Sequence, residues 1–526
     1  MQIAGETVRG SFQILLGNVA SALASALALI IVARLLGPSD YGLFSLAVVV
    51  SGLMQLFTGW GATVGLSRQI AYDLAASDVQ GAKRLTAVGF GYVFLTSAAV
   101  AALGYALAPQ IASGLMGRPA LSPEVRYVTL MVFGNSVLNG GISAANGWGI
   151  MGVGAAADIV QGAGAVLLAP GLVVAGYGPG GAVIGYSLSF VVAGLTAVAL
   201  VIFVKSGITR VTTAEFLEGV RQILRYGGPA YVGSSLNLFS SYFAIVVLAA
   251  ILGNAKIGEF QAASNVTFAV TLVTLSTSPA ILPAFARLSR LGEDTMSAFR
   301  LSVKYVAFLV TPIIFLLALA ANQLLFILYG TQYQGGTTYL VYLSLTYMPL
   351  VVGLSTLQPF LNGIGHQMKT LYMLIVDAGS LIFLAPVLGI YLGLGAGGII
   401  LAIFISNVAS VATGLYLVNR TFGRGIDYYS AAKTLLSAGA AYVLVRLLPT
   451  IGSQPLELAL ELVAFGSVYL TVIPLSGALG ADDFQRLRRL TAGLPIVGKF
   501  AQPFLRYETV LSSLTRGPSS REEVSR

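Results

Sequence analysis

The chain contains no cysteine and a single histidine, His366, among its 526 residues. Without cysteine there are no disulfides, iron–sulfur clusters or thiol nucleophiles, and one histidine cannot supply the several imidazoles of a typical zinc site. Charged residues are also scarce, at 9% of the composition, against about a quarter in soluble domains. These absences argue against a resident metal or cofactor and against a soluble enzyme.

Hydrophobic residues are abundant instead and make up 56% of the chain. A helix that crosses a bilayer needs about 20 mostly apolar residues, and many such runs follow one another with short polar breaks between them. The first run begins near Phe12, is too long for a signal-peptide core and lacks a small-residue cleavage site. The sequence therefore predicts an all-α polytopic membrane protein without a cleaved signal peptide.

Helical length and turn residues together predict about fourteen transmembrane helices. Their predicted ranges are 10–34, 41–66, 85–109, 125–148, 157–175, 181–204, 226–252, 258–285, 302–328, 338–362, 370–392, 396–418, 430–449 and 456–477. Most of the 29 Lys and Arg residues then fall on the side that holds both termini. Because basic residues are retained in the cytoplasm, we expect a multi-pass protein of the cell (plasma) membrane with both termini cytoplasmic. The same bias explains the net charge of +9 without a nucleic-acid partner.

The stretch "RLLGPSDYGLFSLA", residues 34–47, has a counterpart in "AILGNAKIGEFQAA", residues 250–263. Gly37 aligns with Gly253, and Gly42 with Gly258, each pair 216 positions apart. The stretches "NGWG" and "LAP" recur at the same separation as "NGIG" and "LAP". Six helices in one repeat keep both copies in the same orientation. The sequence thus predicts two parallel-repeat six-helix bundles plus two C-terminal helices.

These patterns divide the chain into four parts: an N-terminal six-helix lobe (1–215), a C-terminal six-helix lobe (216–425), two additional transmembrane helices (426–478) and a basic amphipathic cytoplasmic tail (479–526). In the tail, "ADDFQRLRRLTAGL" puts Phe484, Leu487 and Leu490 on one side of a helix and arginines around the other. We expect this helix to lie on the anionic inner leaflet. A helix that binds a soluble partner is the alternative.

Three stretches match the pattern G-x-G-x-x-G, beginning at Gly147, Gly176 and Gly393. A nucleotide-binding fingerprint needs a preceding strand and a following soluble helix, whereas these stretches lie in predicted membrane hairpins. Tight turns and close helix packing are the better interpretation. The sequence also lacks a Walker A motif, a D-x-D motif and a large predicted outer loop, and these absences argue against an enzyme.

Basic side chains cluster at predicted inner helix ends, where guanidinium forks would suit a phosphate or pyrophosphate. The candidate substrate-binding residues are Arg9, Arg68, Arg225, Arg287 and Lys304, together with Tyr347, whose ring could stack on a sugar. The four arginines could ring the inner mouth of a cleft between the bundles. The retention of basic residues on the cytoplasmic side explains each of them singly, and tyrosine is common at membrane interfaces.

Ionisable residues within the predicted spans are few, because a charge at the bilayer centre costs about 2.5–3.5 kcal/mol on insertion scales. Asp377, in "LYMLIVDAGSLIF", is the clearest example. It could bind a coupling Na⁺ or H⁺ or act as a gate, with Asn237 supplying neutral oxygen from another helix. Two simpler interpretations stay open: Asp377 near a wet interface, and Asn237 in polar helix packing.

The Arg34–Ala47 stretch resembles the first-hairpin signature of polysaccharide flippases of the Wzx type, R-x-L-G-P-x-x-Y-G-x-F-x-x-A. "NGIG" and "RYGGPAYVGSS" are similar to second-half equivalents, and the likeness covers about residues 5–420. These flippases belong to the multidrug/oligosaccharidyl-lipid/polysaccharide exporter superfamily. The resemblance implies alternating access and an oligosaccharide on a polyprenyl phosphate or pyrophosphate, moved from the inner to the outer leaflet. Membrane lipids and glycan assembly proteins are the other expected partners.

Other functions stay open at this point. A cation-coupled multidrug exporter on the same scaffold would need acidic residues deep in a lobe, and besides Asp377 only Asp158 qualifies. A membrane glycan polymerase or ligase would need a large outer loop with Arg or His clusters. A non-transporting scaffold is a further alternative. The basic residues at the predicted inner helix ends favour an anionic cargo.

Overall fold

The structure, a computed structural model, describes residues 2–205, 209–423, 428–449, 452–480, 483–486, 488 and 507. Within these ranges the side chains of residues 2–16, 18, 229–230 and 273–280 are not described. Every regular element of the described part is helical.

The α-helices follow one another in chain order as α1 (Gln2–Gln55), α2 (Ala62–Ala75), α3 (Val79–Ala106), α4 (Ala108–Gln110), α5 (Ser122–Gly147), α6 (Met151–Leu172), α7 (Gly178–Val204), α8 (Thr213–Ile251), α9 (Asn254–Leu291), α10 (Thr295–Leu319), α11 (Ala321–Tyr329), α12 (Thr337–Leu345), α13 (Leu354–Gly363), α14 (Gln367–Pro386), α15 (Gly395–Phe422), α16 (Tyr428–Arg446) and α17 (Gln454–Ser476). Shorter 3₁₀ turns span Pro119–Leu121, Thr331–Gly336 and Met348–Val352, and π-helical turns span Ile111–Leu115, Val173–Tyr177 and Val387–Tyr391.

Ten stretches of the described chain are long and apolar enough to cross a membrane. The protein is therefore an all-α polytopic membrane protein, as predicted. The number of crossings stays a prediction, because Met151–Val204, at 54 residues, is long enough for two spans of about 20 residues each.

The predicted turn between the first two helices is a sharp kink inside α1. Gly37 has φ 73° and ψ 170°, a backbone conformation that glycine adopts without the penalty of a Cβ. Pro38 follows at once and restarts the helix with a fixed φ and no need for an N–H partner. The Gly-Pro pair therefore interrupts the helix at a single residue.

The second predicted helix, 41–66, is wrong in its extent. Helix α1 ends at Gln55, residues 56–61 form turns, and α2 begins only at Ala62. Gly59 and Gly61 have φ of 65° and 89°, and Trp60 between them has φ 32°. Apolar composition continues unbroken through this stretch, so hydropathy did not reveal the break.

Two further boundaries differ from the predicted ones. Helix α8 starts at Thr213, thirteen residues before the predicted start at 226, because Thr212 and Glu215 form a complete capping box there. The predicted helix 338–362 is divided into α12 and α13 by the 3₁₀ turn Met348–Val352, which ends at Gly353 with φ 108°. Polar capping residues therefore extend α8 beyond its hydrophobic run. Pro349 and Gly353 interrupt the predicted helix 338–362.

The sequence repeat has structural counterparts. Helices α6 and α14 each end near a proline of the "LAP" motif, Pro170 and Pro386, and each passes into a π-helical turn. Each of the three G-x-G-x-x-G stretches has a glycine with positive φ, at Gly149, Gly176 and Gly393. The interpretation of these motifs as tight turns is confirmed at these places.

The chain forms two compact units that interleave along the sequence. Unit 1 comprises Met1–Asn265, Leu328–Gly336 and Ala378–Ile403, and unit 2 comprises Val266–Ile327, Thr337–Asp377 and Phe404–Arg526. The two units group residues that lie close together in space, whereas the predicted lobes follow the sequence repeat. The lobe boundaries near 215 and 425 therefore stay a prediction.

Each unit has its own core. In unit 1, buried side chains of α2, α3 and α8 pack together, including Leu66, Leu85 and Ile223. In unit 2, Phe360 stacks on Phe299 with ring centroids 4.5 Å apart. Close packing of this kind holds membrane helices together, because lipid gives little hydrophobic drive for helix association.

Candidate functional site

Helices α2 and α8 of unit 1 touch backbone to backbone. A Cβ placed on Gly61 would overlap the carbonyl oxygen of Gly227, and one on Gly227 would overlap that of Gly61. One turn further, a Cβ on Gly65 would overlap the carbonyl oxygen of Ile223. The absence of side chains permits this close crossing, which fixes the relative positions of the polar residues around it.

Two predicted site residues, Arg68 and Arg225, lie at this crossing of α2 and α8. The Arg68 guanidinium lies 3.7 Å from the centroid of the Tyr226 ring, well within the range of a cation–π contact. Arg225 adjoins Tyr226 on α8, and both arginines are exposed. Among the described residues, neither arginine forms an ion pair. This arginine pair therefore keeps its full charge for an anion.

A third basic residue of the same unit, Arg84, has a carboxylate partner. Its guanidinium lies 3.4 Å from Glu215. Hydrogen bonds from the backbone N–H and hydroxyl of Thr212 hold the pKa of Glu215 below its ordinary value. Glu215 is therefore ionised at neutral pH, and it compensates Arg84 but not the arginine pair.

The other basic site residues differ in their surroundings. Lys304 of unit 2 donates to Asp483 at 2.6 Å, so its charge is already compensated. Arg287 is exposed in the same unit. The Arg9 side chain lies outside the described residues. That the four arginines ring the inner mouth of one cleft stays a prediction.

Tyr347 occupies a half-buried position in unit 2. Tyr347 follows the end of α12 by two residues. Its hydroxyl lies 3.3 Å from the Oγ1 of Thr267, and this hydrogen bond holds the ring in place. A role in stacking on sugars stays a prediction.

The two predicted coupling residues lie in different units. Asp377 is half-buried, and among the described residues its carboxylate makes no hydrogen bond or ion pair. Asn237 is exposed on α8, and its carbonyl oxygen accepts a hydrogen bond from the Ser241 hydroxyl at 3.0 Å. An ion site built from these two residues stays a prediction.

A polar cluster that the sequence did not reveal surrounds the break after α1. Asn135 of α5 donates to the Oε1 of Gln55 at 2.7 Å, and Asn139 donates to the Oδ1 of Asn135 at 2.7 Å. Ser136 donates to the Thr58 hydroxyl at 2.9 Å. We call Gln55, Thr58, Trp60, Asn135 and Asn139 the helix-break cluster. The signals for it were present: "TGWG" within an apolar run, and two asparagines one helical turn apart.

The break also needs partners for its exposed backbone. The Tyr231 hydroxyl of α8 donates to the carbonyl oxygen of Leu56, and the N–H of Gly59 donates to the Thr96 hydroxyl at 3.3 Å. Backbone groups freed within a membrane span need such partners. The left-handed φ of Trp60 costs about 1–3 kcal/mol for a non-glycine residue, and side chains of three other helices hold this strained conformation in place.

A buried carboxylate in unit 2 also escaped the sequence analysis. Glu461 of α17 is 7% exposed and accepts a hydrogen bond from the Nε2 of Gln323 at 3.2 Å. Its second oxygen has no partner among the described residues. The signal available in the sequence was a glutamate inside the apolar stretch of α17, four residues after Glu457.

Comparison with known proteins supports the resemblance seen in the sequence. A family model described as "Polysaccharide biosynthesis protein" matches residues 7–289, more than half of the chain. No curated protein matches the chain.

Several solved structures share the fold. The lipid II flippase MurJ in an inward closed conformation matches with a TM-score of 0.67 and 15% identity, over 89% of this chain and 98% of its own. An inward-facing multidrug resistance MATE family transporter of the MOP superfamily matches with a TM-score of 0.62 and 23% identity, over 76% and 94%. A MOP superfamily transporter from Pyrococcus furiosus, described as having a binding pocket of reverse polarity, matches with a TM-score of 0.58 and 19% identity, over 79% of this chain and 94% of its own.

Proposed function

Because this chain belongs to the polysaccharide biosynthesis protein family, whose members are flippases of the MOP superfamily, we propose that it moves a lipid-linked oligosaccharide across the membrane. The cargo is an oligosaccharide on a polyprenyl phosphate or pyrophosphate. It passes from the inner to the outer leaflet of the plasma membrane by alternating access, for assembly of cell-surface polysaccharide or glycan.

The observation that carries this proposal is the arginine pair. Arg68 and Arg225 lie on helices that touch, both are exposed, and neither has a carboxylate partner among the described residues. Guanidinium forks bind phosphate oxygens through paired, charge-assisted hydrogen bonds. The stacked Tyr226 ring limits the rotamers of Arg68 and so reduces the entropy lost on binding. A cationic drug would be repelled at this position.

Neutralising the phosphate removes only one part of the barrier. Each unpaired hydroxyl or amide taken into hydrocarbon costs about 4–8 kcal/mol on a water-to-cyclohexane scale, and an oligosaccharide carries many. A flippase must replace those hydrogen bonds with its own polar groups. The polyprenyl tail has no such cost and can stay in the lipid.

The remaining predicted residues have secondary roles in this proposal. Arg9 and Arg287 are further guanidinium groups proposed for the phosphate, and Tyr347 offers a ring to a sugar. Lys304 reaches the phosphate only after release from Asp483. Asp377 is proposed to bind the coupling Na⁺ or H⁺, and Asn237 is proposed to offer a neutral oxygen to Na⁺. Both termini lie in the cytoplasm, where membrane lipids and glycan assembly proteins are the partners.

The test uses the full chain in proteoliposomes. The probe is a polyprenyl pyrophosphate carrying a fluorescent N-acetylglucosamine, and a membrane-impermeant quencher reports its arrival in the quencher-accessible leaflet. We expect Arg225→Ala and Arg68→Ala to reduce the rate at least tenfold at unchanged protein abundance. Arg68→Lys keeps a charge but loses the fork, so a partial loss is expected.

Arg84→Ala is the matched control, because it removes the same charge from the same unit but from a residue that is already paired. Its transport rate should stay near that of the unmodified protein. Transport of the probe that is indifferent to Arg68→Ala and Arg225→Ala would overturn the proposal. Arginine-independent transport of tetraphenylphosphonium in place of the probe would favour a multidrug exporter.

A further inference from the structure

The helix-break cluster has hydrogen-bonding capacity that its own members do not use. Gln55 accepts from Asn135, and the Nδ2 of Asn139 donates to both the Oδ1 and the backbone carbonyl oxygen of Asn135. Among the described residues, the Nε2 of Gln55, the Oδ1 of Asn139 and the indole N–H of Trp60 have no hydrogen-bond partner. Two donor groups and one acceptor within the cluster therefore remain available.

The shape of the cluster leaves these groups accessible. Trp60 is 54% exposed, and Asn139 is also exposed. Two side chains hold the backbone just before Trp60, because Tyr231 donates to the carbonyl oxygen of Leu56 and Thr96 accepts from the N–H of Gly59. Because the backbone of the break is held in this way, its exposed indole and amide groups form a preformed binding surface, and little backbone entropy is lost when a ligand binds.

The chemistry of the cluster favours a neutral, hydroxyl-rich ligand. None of its five residues is ionisable, so it offers no charge to a phosphate or a metal. Amides can donate to and accept from hydroxyl groups at once, and an indole presents both an apolar face and an N–H. A pyranose ring combines the same features, with apolar C–H faces and polar hydroxyl edges.

The position of the cluster relates it to the arginine pair. Helix α2 begins at Ala62 directly after the break, and Arg68 lies on the same helix. With a rise of 1.5 Å per residue, the start of α2 at Ala62 and Arg68 are about 10 Å apart along the helix axis. A lipid-linked sugar has its phosphate at one end and its rings at the other, so one headgroup can reach both places.

We propose that the helix-break cluster is a sugar-binding subsite, in which Trp60 stacks on a pyranose ring and Gln55 and Asn139 hydrogen-bond to its hydroxyls. This inference rests on the proposed flippase function, because it assigns the second part of the same cargo. Thr58 and Asn135 act as positioning residues that hold the amides in orientation.

The chain supplies its own reporter for the test. It has two tryptophans, and Trp148 is buried and donates to the Thr86 hydroxyl at 2.9 Å. In a Trp148→Phe background Trp60 is the sole indole emitter. We expect a saturable change in its emission on titration with a panel of neutral disaccharides that includes chitobiose, maltose and lactose. Asn139→Ala should weaken the best response about threefold to tenfold, as expected for one lost hydrogen bond.

Asn146→Ala is the matched control, since Asn146 is an exposed asparagine on the same helix α5. The disaccharide concentration that gives half of the Trp60 emission change should be the same in Asn146→Ala as in the Trp148→Phe background. Thermal unfolding of each variant separates lost binding from lost folding. If no disaccharide gives a saturable response, or if only tetraphenylphosphonium does, the subsite is overturned.

A transport measurement distinguishes this failure from failure of the flippase function. Asn139→Ala should slow the flipping of a polyprenyl pyrophosphate that carries a disaccharide and leave that of the sugar-free lipid unchanged. Arg225→Ala should slow both. Equal rates for Asn139→Ala and the unmodified protein on both lipids, with Arg225→Ala still defective, would overturn the subsite alone.

Discussion

Gly42 and Gly258, which stand 216 residues apart in the repeated motif, pack against each other in the folded protein. A Cβ placed on Gly42 would lie 3.2 Å from the amide nitrogen of Gly258, and one on Gly258 would lie 3.2 Å from that of Gly42. The contacts with the preceding turns are also reciprocal: Gly42 faces the carbonyl oxygen of Asn254, and Gly258 faces that of Pro38. The two copies of the turn therefore meet as a two-fold relation would place them.

A single methyl group should disturb this contact. Gly42→Ala and Gly258→Ala each place a Cβ against a backbone carbonyl, which cannot rotate away, so overpacking of about 1–3 kcal/mol is expected. Thermal unfolding in detergent measures the loss. Gly379→Ala is the control, because Gly379 lies within α14 with open space around it. Equal stability of Gly42→Ala and Gly379→Ala would contradict the structure.

Arg118 should be required for the turn that follows α8. Its Nη1 donates to the carbonyl oxygen of Ala249 at 2.7 Å, its Nε donates to the side-chain oxygen of Asn254 at 2.6 Å, and its Nη2 donates to the carbonyl oxygen of Leu252. Hydrogen bonds that involve a charged group contribute about 1.5–3 kcal/mol, and partial exposure lowers this figure. Arg118→Ala should lower the unfolding temperature, and Arg118→Lys should not restore it, because lysine lacks the planar fork.

Arg126→Ala serves as the comparison for Arg118. Its guanidinium is exposed and lies 5.5 Å from the Tyr105 ring centroid, so its removal should have a small effect. Unfolding temperatures for Arg118→Ala and Arg126→Ala that agree within error would refute the role of Arg118 at the end of α8.

The ion pair between Lys304 and Asp483 should anchor the start of the C-terminal tail to α10. The pair is partly buried, with side-chain exposures of 22% and 13%. Asp483→Asn should therefore accelerate trypsin cleavage at Arg486 and Arg488, about fivefold if the pair stabilises the docked segment by about 1 kcal/mol. Mass spectrometry of the fragments gives the rate. Glu457→Gln, at the opposite end of α17, should leave the rate unchanged, and unchanged cleavage in Asp483→Asn would refute the anchor.

Asp377→Asn should uncouple transport from an ion gradient if Asp377 binds the coupling cation. The substitution keeps the shape of the side chain and removes its charge, so flipping should continue but no longer respond to an imposed Na⁺ or H⁺ gradient. Asp158→Asn, which alters the comparable carboxylate of α6, is the control and should retain the response. A full gradient response in Asp377→Asn would reject the coupling role.

The sequence alone determined the class of the protein, the turn at Gly37 and the repeat. Each depends on local features: runs of apolar residues long enough to cross a bilayer, a glycine–proline pair that cannot continue a helix, and motifs that recur at one separation. It also indicated the arginines and the phosphate chemistry they suit, since side-chain type alone limits which ligands a residue can bind.

The tertiary structure decided which of these residues act together. Hydropathy could not reveal the break at Gly59 and Gly61, because the residues around it are apolar and its stability depends on Tyr231 and Thr96 from other helices. Nor could spacing show that Lys304 is paired whereas Arg225 has no ion-pair partner in the described part of the chain, because both stand at predicted inner helix ends. Partners distant along the chain determine whether the charge of a side chain is compensated and which of its hydrogen-bonding groups stay unused. Only the packed helices bring those partners within bonding distance.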